Sequence, residues 1–148
     1  MPTKTNREIY NERILQATLD RAYHAFSNPS LLKEWWGPEG FTNTIHEFDL
    51  RPGGKWLLTM HGPNNVNYEN ASVFKTIKPQ QLVSWSRTSK PLFDMEVEFI
   101  ELNDSETQIS FRMIFETASD CEKLRTFVGP KNEENFDRLE KVLLNVSV

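Results

Sequence analysis

The 148-residue sequence has one cysteine, Cys121. No internal disulfide can form, which agrees with a reducing compartment and leaves the fold to rest on packing. Long apolar runs are missing too: the longest span only a few residues, such as Trp56 to Leu58, where a bilayer helix needs about 20. No membrane span is expected. Basic excess is lacking: 17 Lys and Arg face 21 Asp and Glu, for a formal net charge of −4. With no dense basic cluster, no nucleic-acid partner is expected. Only three histidines occur, His24, His46 and His61, without His-x-x-x-His or Cys-x-x-Cys spacing, so neither a metal nor another cofactor is expected. The Gly-x-Ser-x-Gly elbow of many hydrolases is absent. Gly53-Gly54 is too short for a phosphate cradle and reads as a hairpin turn. The start, Met1 to Glu8, is polar and lacks a secretory signal's apolar stretch, which predicts a cytoplasmic location.

What is present is a chain 38% hydrophobic and 11% aromatic. At this length, folding buries about 68–70% of the surface. Without repeats or long linkers, residues 1–148 are expected to form one domain. Arg7 to Leu15 reads as a strand with imperfect alternation. Asp20 to Phe26 and Ser30 to Trp36 read as short helices, divided at Asn28-Pro29 and stopped by Gly37-Pro38.

From Phe41 to Phe115 the period becomes two, and turn clusters cut the segment into six strands. Phe93, Met95, Val97 and Phe99 share one face, as do Ile109, Phe111, Met113 and Phe115. The tail is helical, with a capping-box spacing from Ser119 to Glu122 and an apolar side of Leu124, Phe127 and Val128. Gly129-Pro130 predicts a break and the start of a longer helix, with Phe136, Leu139, Val142, Leu143 and Val146 as its stripe. The expected class is α+β: a curved antiparallel sheet of about seven strands, with two short helices after the first and a long C-terminal helix lying across it.

Four segments carry a further signal: Pro29-Ser30-Leu31-Leu32-Lys33-Glu34-Trp35-Trp36-Gly37-Pro38, Phe48-Asp49-Leu50-Arg51-Pro52-Gly53-Gly54-Lys55-Trp56, Lys78-Pro79-Gln80-Gln81-Leu82-Val83-Ser84-Trp85 and Asn135-Phe136-Asp137-Arg138-Leu139. In this order and spacing the sequence resembles the family homologous to the C-terminal domain of the activator of the heat-shock protein 90 ATPase, within the START and birch-allergen-like (SRPBCC) superfamily. The likeness runs from about Glu8 to Leu144 and implies a helix-grip fold. Superfamily members bind lipids, sterols, hormones or polyketides beneath the C-terminal helix; some catalyse cyclisation there, and the co-chaperone's domain contacts a chaperone. Three readings follow: binding of a small apolar molecule, a protein-interaction module that meets a protein partner or a second copy, and a cyclase- or aromatase-like enzyme.

For the binding reading, Trp36, Trp56, Met60, Trp85, Met95, Phe111, Met113 and Phe136 are the candidate cavity lining. The competing reading is ordinary core. Tyr10 and Tyr68 are candidate polar anchors, and His46, sharing strand parity with Phe48, is the candidate acid or base. Asp49 and Arg51 are expected to fix their turn. Cys121, in the first turn of a predicted helix, reads as a filler, and no catalytic residue is assigned.

Overall fold

A computed structural model describes residues 6–145. In chain order the elements are β1 (Glu8–Leu15), α1 (Leu19–Ser27), α2 (Pro29–Trp35), β2 (Thr42–Phe48), β3 (Lys55–His61), β4 (Asn67–Lys78), β5 (Leu82–Arg87), β6 (Asp94–Asn103), β7 (Glu106–Ile114) and α3 (Ala118–Asn145). All strands pair antiparallel in one sheet of order β1-β7-β6-β5-β4-β3-β2. The first strand therefore docks on the last, and α3 packs along the inner face, which is the helix-grip arrangement.

Local chemistry sets the boundaries. Thr18 Oγ1 accepts from Arg21 N at 3.2 Å and caps α1. Asn28 serves two helices: its N–H closes α1 on His24 O, and its side chain accepts from Ser30 N to open α2, with Pro29 at the first helical position. In the β2–β3 turn Gly53 has φ +84, and a Cβ on Gly54 would stand 1.9 Å from Asp49 O. Both glycines are required, one for conformation and the other for closeness. Arg51 Nε donates to both Asp49 carboxylate oxygens, at 3.0 and 2.8 Å, fixing the turn as expected.

Three expectations need correction. Pro130 does not divide the tail, since α3 runs unbroken from Ala118 to Asn145 with Pro130 inside. An interior proline costs about 3 kcal/mol in an isolated helix. Here the helix is held on both sides of it, with Cys121, Phe136, Leu139 and Leu143 buried, and Asn11 Nδ2 donates to Gly129 O at 3.2 Å. The cap is Thr117, whose hydroxyl accepts from Asp120 N at 3.1 Å, so Ser119 lies within the helix. Phe127 is 64% exposed and off the apolar side, with Lys131 Nζ over its ring. Val146 falls outside the described residues.

The imperfect alternation of β1 has a structural cause. Ile9 and Leu15 are buried on the inner face, and Asn11 and Arg13 stand between them on that face, bonded to α3. Arg13 pairs with Glu133 (2.8 Å), Asp137 (2.6 Å) and Glu140 (2.9 Å), three carboxylates on one side of the helix. Burial works to lower the Arg13 pKa, but the bonds to Asp137, Glu133 and Glu140 outweigh it and raise it. The guanidinium also lies over the Phe136 ring at 5.5 Å.

Candidate functional site

On the inner face the pairing register sets three residues side by side: Trp56 on β3, Ser72 on β4 and Arg87 on β5. The middle one is small, and space opens above it. This cavity of about 90 Å³ is walled by Trp56, Trp85 and Phe111, with Met95 and Met113 from β6 and β7. Trp36, just beyond α2, and Asn132 and Asn135 of α3 close it from the helix side; Leu58, Asn70 and Phe93 complete it. Trp56, Trp85 and Phe111 are buried, whereas Asn70, Arg87, Phe93 and Asn132 are part-exposed, so the polar groups gather toward one rim.

Aromatic packing holds the apolar wall in place. The Trp56 ring is stacked on Phe74 (6.0 Å, 6°) and stands edge-on to Trp85 at 5.1 Å. Trp85 stacks on Phe26 at 5.8 Å, and Trp36 touches Trp56, Trp85 and Phe111 at 5.1 to 5.8 Å.

Trp36 is held from the helix side. Asn135 accepts from Gly37 N (3.0 Å) and donates to Trp35 O (3.1 Å). Arg138 donates to five carbonyls, those of Trp36, Gly37, Pro38, Glu34 and Phe41, at 2.9 to 3.0 Å. The loop from Glu34 to Phe41 is thereby wrapped around one guanidinium. Burial lowers the Arg138 pKa, with Glu39 and Glu34 acting against it.

Polar groups at the cavity itself are less completely matched. The Trp56 indole N–H is buried without a hydrogen-bond partner among the described residues, a condition that costs about 1–3 kcal/mol. By contrast, the Trp35 indole donates to Ala25 O at 2.9 Å. Arg87 shares its Nε–H between Ser89 O (3.3 Å) and Pro91 O (2.9 Å) and gives one Nη2 hydrogen to Lys90 O (3.0 Å) and one Nη1 hydrogen to Asn70 Oδ1. A guanidinium has five N–H groups, so one on each Nη nitrogen has no acceptor among the described residues. Every partner is neutral, and burial lowers the Arg87 pKa. Among the described residues no carboxylate lines the cavity.

A family model described as Activator of Hsp90 ATPase homolog 1-like protein matches residues 16–144. The chain belongs to this family. Its fold recurs in a crystal structure of a protein from Nitrosomonas europaea, 17% identical over 97% of this chain and 98% of that one, with a TM-score of 0.87. A Rhodobacter sphaeroides protein is 16% identical over 99% of both chains (TM-score 0.88), and an Arthrobacter aurescens protein 18% identical over 96% of this chain and 88% of that one (0.87). At such identities the likeness is one of fold. No curated protein matches the sequence.

Within this family fold, Trp36, Trp56, Trp85, Met95, Phe111 and Met113 come together around one space. Two candidates stand apart. The Met60 side chain lies against Gly37, where an added Cβ would be 2.6 Å from Met60 Cε, and Phe136 is buried between Phe111 (4.6 Å) and Arg13. Neither proposed anchor lines the cavity: Tyr10 lies under Arg112 at 4.8 Å, and Tyr68 is 44% exposed beside Phe41.

His46 is displaced by a bulge. The β2–β3 register shifts between Ile45 and Glu47, so Ile45 and Phe48 both pack inward. His46 instead bonds Thr59 Oγ1 at 2.7 Å, and Thr59 donates to Glu69, away from the cavity. Its parity with Phe48 is broken by one extra residue. The Cys121 thiol is buried, which pushes its pKa up, and Sγ accepts from Arg125 at 3.2 Å.

Arg87, Asn132 and Asn135, with Leu58, Asn70, Ser72 and Phe93, are the lining residues that were not among the sequence candidates. Arg87 shares parity with Val83 and Trp85, and Asn132 and Asn135 fall on the stripe of Phe136 and Leu139. A polar residue at an apolar-face position was the available signal.

Proposed function

We propose that this protein binds one small, largely apolar molecule, about a single ring in size, in the cavity over Ser72. The supporting observation is the composition of that space: aromatic and methionine walls, one of them Trp56, whose buried N–H has no partner among the described residues. Ordinary core packing satisfies its buried donors, as Trp35 does in the same molecule. Family membership supports a binding or interaction module in general terms, and the cavity favours binding.

Size limits the ligand. A dry cavity of about 150 Å³ holds benzene, and drug-sized molecules need about 300 Å³ or more. At about 90 Å³, one ring is accommodated once a flexible methionine such as Met95 or Met113 shifts, while a sterol is excluded. With His46 turned away, the cyclase reading loses its candidate base.

Native mass spectrometry of freshly purified protein, before and after denaturing extraction, combined with ligand-observed NMR on a library of single-ring compounds, tests the reading. The expected result is a released small molecule, or ring binding that Ser72→Leu abolishes without loss of fold. A clean apo mass together with no ring bound overturns it.

A further inference from the structure

Arg87 stands at the rim with no carboxylate at ion-pair distance among the described residues. Its bonds run to three main-chain carbonyls and one amide, and two N–H groups are left over. The molecule does not treat its other inner-face arginine at a strand position this way: Arg13 is matched by three carboxylates. Arg112, on β7, likewise pairs with Glu8 at 2.6 Å. A part-buried cation held in place by neutral groups, facing aromatic walls and no anion, is a preformed half of an ion pair.

Geometry defines the other half. Arg87 and Trp56 are separated by one strand, and Ser72 between them leaves the gap. Two strand spacings are about 9.6 Å, room for a ring carrying one short polar substituent. The substituent must accept hydrogen bonds and carry negative charge at the Arg87 end. The ring must be flat enough to lie among Trp85, Phe111 and Trp36. A carboxylate, planar with two acceptor oxygens, fits the two remaining guanidinium donors better than a tetrahedral phosphate, which would call for more donors than the rim offers.

We infer that the ligand is a small aromatic carboxylic acid, its ring over Ser72 and its carboxylate on Arg87, an assignment that rests on the cavity being a binding site. The Arg87 bonds to Ser89, Lys90 and Pro91 hold the guanidinium before ligand arrives, so little ordering is left to binding. Burial reinforces the preference, because a desolvated guanidinium gains more from an anion than an exposed one does.

The test is isothermal titration calorimetry of the wild-type protein with benzoate and phenylacetate, each paired with its neutral twin, benzamide or phenylacetamide. The acids are expected to bind about tenfold or more tightly than the amides, and Arg87→Gln is expected to erase that difference. Arg87→Lys should keep part of the preference. Equal affinity of acid and amide overturns the inference and leaves the cavity reading standing. Binding of none of the four rings also overturns the inference, and the native mass and the ring library then decide the cavity reading separately. The wild-type comparison decides the matter even where Arg87→Gln fails to fold.

Discussion

The inner face of the sheet has two halves that treat polar groups differently. Along residues 133 to 140 of α3, matching is thorough: Arg13 meets three carboxylates, Asn135 uses both ends of its amide, and Arg138 gathers five carbonyls. Over Ser72, Trp56 has a buried N–H without a partner and Arg87 has donors to spare. Both halves belong to one continuous packing of rings, and Trp36 touches each. The helix side is not perfect either, since the buried Asn43 Oδ1 beside Trp36 has no partner among the described residues, but the spare donors of the Arg87 cation lie over Ser72, and the proposed binding rests on that difference. A packing defect would lack the ordered rim that holds Arg87.

The contrast can be pressed with substitutions. Phe136→Ala, in the closed half, removes a fully buried ring and is expected to cost about 3–5 kcal/mol, read as a fall in urea midpoint. Arg138→Ala releases the Glu34–Phe41 loop and is expected to cost about 2–4 kcal/mol, with the loop's amide exchange accelerated. The two indoles sharpen the comparison. Trp35→Phe strands the Ala25 carbonyl, whereas Trp56→Phe removes a donor that was already unmatched, so it should be the less destabilising of the two by about 1–2 kcal/mol. Equal costs would mean that the two halves are alike. Met113→Leu at the cavity wall should cost under about 1.5 kcal/mol.

The smallest effect concerns pH. Burial raises the Tyr23 phenol above its ordinary pKa of 10.0. The folded protein thus holds a proton that the unfolded chain releases. The associated stability is fully present below pH 10 and is lost as pH rises through the folded value. Tyr23→Phe should flatten this alkaline decline, measured by urea unfolding at pH 8 and above pH 10; an unchanged slope would assign the decline elsewhere.

Much of this architecture was legible in the residues. Period-two patterning through Met95, Val97 and Phe99 and through Ile109, Phe111 and Met113 located β6 and β7, and Asn28-Pro29 divided the two short helices. What escaped has identifiable causes. Propensity argues against Pro130 in a helix, yet burial on both sides overrides one missing bond. Parity is a local rule, and a one-residue bulge at His46 inverts it. Six of eight candidate wall residues surround one space because apolar alternation reports the inner face. The rim was harder to read: Arg87 has the parity of Val83 and Trp85, but that it stands beside the small Ser72 depends on how β4 pairs with β5.

The pairing of β1 with β7 carries a consequence for synthesis. Glu8 meets Ile114, and Leu15 meets Thr107, so the first strand made has its partner about a hundred residues later. At about 5–20 residues per second on the ribosome, β1 waits several seconds or more. Asn11 and Arg13, the residues that spoil its alternation, keep that waiting strand from presenting a continuous apolar face to other chains. The carboxylates that will neutralise Arg13 are made later still, on α3. A helix made after all seven strands of the sheet is thus the one that locks β1 in place.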